Sequence, residues 1–495
     1  MNKYFIGIDI GTTNIKSVLF NENYNQVFAA SRANFTAQQQ EGWSEQNMTM
    51  VLEKTIETLV ELVQSSGVSA NQIKAIGISG QGEGAWLVDK NGEPVRDAII
   101  WSDTRASGLI DSLSEDLVQQ LTDETGSPPH PGNMSMVMLW LAENEPESLN
   151  NAKYCLFAKD WIRLGLTAKA NLEVSDTGTS IMSLQHSKVS NLVLEKLGLT
   201  QYRGLLPKLG QSADVVGTIT ARVAEATGLD PATQVVMGGV DVSCAALGLG
   251  ATKQGDVFSI LGTTCCTGVI SEQAHVKGEG LRCIPDVIPN LYIDLIATLS
   301  GTPNLDWAIE NIAASKDFSE VEKLISQVSV GSGGVWYHPY IGGERAPFMN
   351  VNARASFFGI SKGTTTAHLL RAVFEGISYT IKDALQGHPH GEYIYLAGGG
   401  SNSKTWLQII ADMTGRTVIV GSDSELSAKG AAMLAGIAMG DLVDLKNEAY
   451  FNVAFKLEPI PKNVMKYEKL YQLYREFRVS VNRLWDLRTE LRKDS

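Results

Sequence analysis

The sequence predicts an α/β protein made of two related halves, and three observations carry that expectation. A Gly-Thr-Thr turn between apolar runs occurs twice, in IGIDIGTTNIKSVLF at residues 6–20 and in FSILGTTCCTGVI at residues 258–270. A pattern of strands and helices runs from residue 4 to near 240 and then restarts. The chain of 495 residues is also too long for one hydrophobic core.

Residues 4–31 read as three consecutive strands, because apolar and β-branched runs are separated by short polar turns. Met50, Leu52, Ile56, Leu59 and Val63 recur at helical spacing across 47–66, and Ser65-Ser66-Gly67 ends that helix. Ile73 to Ser79 and Gly84 to Asp89 are short strands, the second closed by the turn Asn91-Gly92. Strand and helix then alternate through 233–251, which places the boundary between halves near 240–255 and divides the chain into 1–245 and 246–495. The second half opens with strands over 255–270. It continues with an amphipathic helix at 364–385, a strand, glycine turn and helix over 393–415, and a small-residue helix at 427–439. Leu470, Tyr474, Phe477, Val481, Leu484 and Leu491 mark a final amphipathic helix expected to pack on the body.

Composition narrows the function classes. The formal charge is −13 and 44% of residues are hydrophobic, which suits a globular chain and disfavours nucleic acid or an anionic membrane as partner. The five cysteines are odd in number and contain no C-x-x-C, so a disulfide framework or structural zinc is not expected and a reduced, cytoplasmic setting is. No apolar stretch is long enough to span a bilayer, and the N-terminal run is broken by Asp9. His388-Pro-His390 lies in a Gly/Pro loop and is expected to face solvent.

The two turns carry the chemistry. Gly11 and Gly262 let backbone approach an anion, and Thr12, Thr13, Thr263 and Thr264 add hydroxyl donors, so the pair is expected to grip a polyphosphate. Asp9, two residues before Gly11, would repel a phosphate unless a divalent cation lay between them, which implies Mg²⁺ held through water. Lys16 is within reach of a terminal phosphate. Gly398-Gly399-Gly400 follows a strand and precedes Asn402 at a helix start; it lacks the Walker pattern and instead offers a flat surface for a ring. Asp241 closes the strand VVMGGV and opens a helix, where a carboxylate serves as an N-cap or as a base at a cleft. Gln81, Gly82 and Glu83 after one strand, with Trp101 and Asp103 after the next, are what a hydroxyl-rich small molecule requires.

With these residues in place, the chain resembles the FGGY family of carbohydrate kinases nearly end to end. The family's C-terminal signature is met at Ala355, Phe357, Gly359, Ile360, His368, Leu369, Ala372, Val373, Phe374 and Glu375, and GGERAPFMNVNAR at 342–354 precedes it. The N-terminal signature is kept in part, at Trp140 to Asn144, with Val137 where the family usually has lysine. The resemblance implies a two-domain actin-like, ribonuclease H-like ATPase fold with a cleft between duplicated domains, with ATP and Mg²⁺ as cofactors. It implies Asp241 as catalytic base. It implies phosphate and metal contacts from Asp9, Thr12, Thr13, Lys16, Gly262, Thr263 and Thr264. Adenosine contacts would come from Gly398, Gly399, Gly400 and Asn402, and sugar contacts from Gln81, Glu83, Trp101 and Asp103. The expected acceptor is a small open-chain sugar, foremost a xylulose-type ketopentose, with erythritol, gluconate and other substrates of the family as alternatives. An actin-like ATPase serving as chaperone or assembly protein is the alternative of another class, and a homodimer is compatible with the sequence.

Overall fold

The computed structural model describes residues 2–274, 280–389, 391–445 and 450–493. Two seven-stranded sheets organise them. The first contains β1 (Tyr4–Ile10), β2 (Asn14–Asn21), β3 (Gln26–Ala33), β4 (Ile73–Gly80), β5 (Val215–Thr218), β6 (Gln234–Val236) and β7 (Gly239–Val240). Its strand order is β5-β6-β4-β1-β2-β3, with β7 also on β4. The second contains β8 (Val257–Leu261), β9 (Cys265–Ser271), β10 (Arg282–Pro285), β11 (Tyr292–Thr298), β12 (Tyr393–Ala397), β13 (Thr417–Gly421) and β14 (Val453–Leu457). Its order is β10-β11-β9-β8-β12-β13-β14.

The duplication is visible strand by strand. In each sheet an antiparallel hairpin, β1–β2 or β8–β9, has a third antiparallel strand outside it and a parallel strand, β4 or β12, on the other side. Both sheets end in an antiparallel edge, β5 on β6 and β14 on β13. The two Gly-Thr-Thr turns are the tips of the equivalent hairpins.

Helices cover both faces of the first sheet, so β1 is buried throughout most of its length and reads as a continuous apolar run. Strand alternation sends Ile6, Ile8 and Ile10 into the core shared with helix α1 (Met48–Ser65), and Phe5, Gly7 and Asp9 to the opposite face. That opposite face carries α3 (Asp241–Leu249) and α6 (Leu426–Ala438), with α2 (Ala158–Thr167) lying elsewhere on the first half. On the second sheet, α4 (Thr366–Ala384) and α5 (Lys404–Thr414) share a core with Tyr467, Tyr471 and Tyr474 of the long α7 (Pro461–Lys493). Helix α7 therefore packs on the body, as expected, but through a tyrosine face; Leu484 and Leu491 of the apolar stripe point outward instead.

Helix α6 crosses from the second half onto the first sheet, which the sequence pattern did not suggest. The approach is close enough to demand glycine. A Cβ on Gly7 would lie 1.8 Å from the Ala428 carbonyl oxygen, and one on Gly77 1.8 Å from that of Ala431. Gly7 and Gly77 are partners in the β1–β4 register, so together they form a bare strip under the helix. On the other side of α6, a Cβ on Gly430 would lie 1.9 Å from the Cys244 carbonyl oxygen of α3. Helix α3 divides its faces between the two halves: Cys244 and Leu247 meet α6, while Ala246 and Leu249 join Phe258 and Ile270 of the second sheet.

All five cysteines are free. Among the described residues no helix is long and apolar enough to cross a membrane. His388 is not solvent-facing; its ring sits 3.3 Å from the Asp294 carboxylate, while His390 lies outside the described residues.

Gly77→Ala should force α6 off the sheet, since the obstructing atom is backbone and has no rotamer to escape into. Overpacking of this kind costs about 1–3 kcal/mol or more. Thermal unfolding should show a clear loss of stability; an unchanged midpoint would mean that α6 is not held at this distance.

Candidate active site

The site is built at the carboxyl ends of adjacent parallel strands, where open α/β sheets bind ligands. Asp9 of β1 pairs with Ser79 of β4, and Gly239 of β7 pairs with the same residue from the other side. Asp9, Gln81 and Asp241 consequently leave the sheet at one edge. Gly82 follows Gln81 where a side chain would collide with Val240 and Asp176, 2.7 and 3.2 Å from its Cβ position.

Thr12, Gln81, Gly82, Glu83, Trp101 and Asp241 line one cavity of about 250 Å³, which Cys266 and Arg282 close from the second sheet. The Thr12 hydroxyl donates to Gln81 Oε1 at 3.0 Å and accepts from Trp101 Nε1 at 2.9 Å. Gln46 secures both partners, donating to the Thr12 carbonyl at 2.9 Å and accepting from Gln81 Nε2 at 2.7 Å. The first turn and the polar wall are thus one hydrogen-bonded unit. Within the turn, Gly11 donates to the Asn14 carbonyl at 2.9 Å, Thr13 accepts from Asn34 at 2.8 Å, and Lys16 stands opposite Asp9 in the hairpin. The Lys16 ammonium is engaged, 2.7 Å from Glu425 at the start of α6.

Gly262, Thr263 and Thr264 form the equivalent turn between β8 and β9, closed by the Gly262 N–H donating to the Thr264 carbonyl at 3.1 Å. Gly398 adopts φ 92° at the end of β12 and lies against the backbone of Leu261, one residue before that turn. Gly399 faces open space, as a ring-binding surface needs, and Asn402 beside it is exposed. Gly400 does not contribute to that surface: it is buried, and a Cβ there would lie 2.5 Å from the Trp406 ring.

Asp241 is the first residue of α3 rather than its N-cap, which is Val240. Burial pushes its carboxyl up to about 6, against the Val242 N–H that it accepts at 2.6 Å. Burial and the neighbouring Asp241 charge push Asp9 up to about 7, with Lys16 opposing. Asp9 Oδ1 is buried without a hydrogen-bond partner among the described residues. Two carboxylates beside each other, one with an orphaned oxygen, form a site that a cation would stabilise. Among the described residues no cluster of three or more His, Cys, Asp or Glu could hold a metal, so phosphate oxygens and water would have to complete its shell.

Asp103 lies outside this group, contrary to the expectation. It is fully buried, accepting from Ser44 N at 2.6 Å and from three nitrogens of Arg105. Arg105 in turn stacks over Trp43, its guanidinium carbon 3.8 Å from the ring centroid. Asp103 therefore braces the loop that carries Trp101. Four residues of the site went unrecognised in the sequence: Gln46, Asp176, Arg282 and Glu425. Asp176 accepts the Glu83 N–H at 3.0 Å and is itself held by Lys159 at 2.7 Å. None lies in a glycine motif, and each reaches the site from a distant segment.

The chain matches the N-terminal domain of the FGGY family of carbohydrate kinases over residues 4–248 and the C-terminal domain over residues 257–439. It belongs to that family. The xylulose kinase of Bacillus subtilis is 32% identical over 96% of this chain and 96% of its own. The erythritol kinase of Brucella abortus is 30% identical over 97% of each chain. A solved gluconate kinase from Lactobacillus acidophilus superposes with a TM-score of 0.89 at 25% identity, covering 97% of this chain and 99% of that one. The protein is a sugar kinase of two α/β domains that uses ATP as phosphate donor.

Asp103→Asn should act on stability, because it weakens charged hydrogen bonds worth roughly 1.5–3 kcal/mol each. A lowered unfolding midpoint with sugar KM near that of the parent is expected. A raised sugar KM at full stability would return Asp103 to the binding wall.

Proposed function

We propose that this kinase transfers the terminal phosphoryl group of ATP to a terminal hydroxyl of a small open-chain sugar, foremost a xylulose-type ketopentose. The observation that carries the reading is the single cavity that joins Asp241 to Gln81, Glu83 and Trp101, with Asp9 one strand away. The similarity to a xylulose kinase over the full length supports the ketopentose. Erythritol is the second acceptor to consider, because the erythritol kinase is nearly as similar, at 30% identity against 32% for the xylulose kinase. An assembly or chaperone ATPase has no use for that polar cavity.

Phosphoryl transfer depends mainly on positioning and charge stabilisation. Asp241 accepts the proton of the attacking hydroxyl as its oxygen bonds to phosphorus and the bond to ADP breaks. Trp101, partly exposed and anchored by its indole N–H on Thr12, offers an apolar face to the sugar carbons. The two Gly-Thr-Thr turns present backbone and hydroxyl donors to phosphate oxygens, and Lys16 exchanges Glu425 for phosphate. Gly399 and Asn402 contact adenosine. Asp9 would hold Mg²⁺ through water, and that ion, when bound, offsets the negative charge on the phosphate groups. Domains 1–245 and 246–495 closing about the segment 240–255 would exclude water, the competing acceptor. Five free cysteines suit a reducing cytoplasm.

Asp241→Asn removes the proton acceptor at constant shape, so kcat should fall about 10²- to 10⁴-fold while nucleotide affinity persists. Because the base works ionised and its carboxyl is raised to about 6, parent turnover should climb as pH rises through about 6 and then level. The variant should lack that limb; near-parental turnover would leave Asp241 without a chemical role. Asp9→Ala should cut turnover at low Mg²⁺ far more than it weakens sugar binding measured by calorimetry. Loss of sugar binding alone would move Asp9 away from the phosphate end.

A further inference from the structure

We propose that the ion pair between Glu83 and Arg282 selects the charge class of the acceptor, admitting an uncharged polyhydroxyl chain and refusing a sugar acid. The inference rests on the kinase reading above and narrows its substrate. Arg282 Nη2 donates to Glu83 Oε1 across the cleft, from the first residue of β10 on the second sheet to the wall after β4 on the first. Both residues line the cavity that contains Asp241.

Glu83 is held for this task. Its backbone sits at φ 65°, a conformation costly for a residue with a side chain, and the Asp176 carboxylate fixes it there through the Glu83 N–H at 3.0 Å. The Lys159 ammonium, fully buried, holds Asp176 from behind at 2.7 Å. Arg282 has spare capacity, since its Nε is buried without an acceptor among the described residues.

The chemistry follows from the donors and acceptors. A hydroxyl both donates and accepts, so it can give its proton to Glu83 and take one from Arg282. A carboxylate only accepts, and beside Glu83 it meets a like charge. Among the residues lining the cavity, Glu83 and Asp241 carry negative charge against the one arginine, Arg282, which disfavours an anionic acceptor. His130 Nδ1 stands 3.9 Å from Glu83 Oε2, which favours its charged form, but partial burial together with Arg282 and Arg345 leaves its basicity lowered. Removal of the Glu83 charge alone would free Arg282 to pair with a carboxylate, as arginine does in fork geometry.

The test compares D-xylulose with D-gluconate and D-xylonate as acceptors for the parent, Glu83→Gln, Arg282→Gln and the double variant, at saturating MgATP. The deciding quantity is the ratio of kcat/KM for sugar acid to that for ketopentose, which does not depend on how much of a variant folds. Glu83→Gln should raise the ketopentose KM about tenfold to a hundredfold and shift the ratio toward the acid by at least as much. Calorimetry should show the acid binding to this variant and not to the parent. Adding Arg282→Gln should erase the gain. A ratio unmoved by Glu83→Gln, or a gain that survives loss of Arg282, would overturn the proposal while leaving the kinase reading intact. A parent that phosphorylates the sugar acids and no ketopentose would instead overturn the acceptor reading itself.

Discussion

The contact between α6 and the first sheet is the constraint on which the rest of the structure depends. The helix lies at backbone distance from β1 and β4 because Gly7 and Gly77 form a strip without side chains, and Gly430 permits the same closeness to α3. Three consequences follow for the site. Glu425, which precedes α6, comes beside Lys16 of the first hairpin. Asp241, at the start of α3, is fixed over the ends of β4 and β7. The second half of the chain becomes part of the covering of the first sheet.

Charge is the second organising element. Burial lifts both Asp9 and Asp241 well above ordinary carboxylate values, with the Asp241 charge adding to the rise at Asp9 and the Glu83 charge adding to the rise at Asp241. Their folded values exceed their unfolded ones, so ionising them as pH rises toward neutrality reduces stability, and the site holds strain that a bound cation would relieve. Elsewhere in the cleft charges are paired, Asp176 with Lys159 and Glu83 with Arg282, although burial still pushes the Asp176 carboxyl up to about 7 against Lys159. Ion pairs thus hold Asp176 and Glu83, whereas Asp9 Oδ1 has no hydrogen-bond partner among the described residues. A catalytic carboxylate needs freedom to take a proton, whereas a hydrogen-bonding wall needs fixed donors and acceptors.

Much of the fold was legible because its signals are local. The hairpins, the strand β4 and the helices α1, α4 and α5 follow from residue periodicity and turn chemistry. The matching order of the two sheets follows from the repeated hairpin with its Gly-Thr-Thr tip. Helix α7 was placed correctly, and Leu470, Tyr474 and Val481 of the expected stripe pack on the body; Tyr467 and Tyr471 join them there, while Leu484 and Leu491 are exposed. Asp103 and Gly400 were misjudged for a related reason. A carboxylate or glycine near a functional motif looks the same in sequence whether it faces a ligand, an arginine or a tryptophan ring.

The sequence by itself determined the two Gly-Thr-Thr turns, the position of Asp241 between a strand and a helix, the polar segment at Gln81 and Glu83, and the family, because each is carried by contiguous residues whose chemistry does not depend on distant partners. The tertiary structure decided which of these meet and what opposes them. Gln46 ties Thr12 to Gln81, Asp176 holds Glu83, Glu425 takes Lys16, and Arg282 crosses from the other sheet. Those four partners are set by the twist and register of the sheets and by the close approach of α6. Such long-range geometry leaves no mark in the spacing of neighbouring residues.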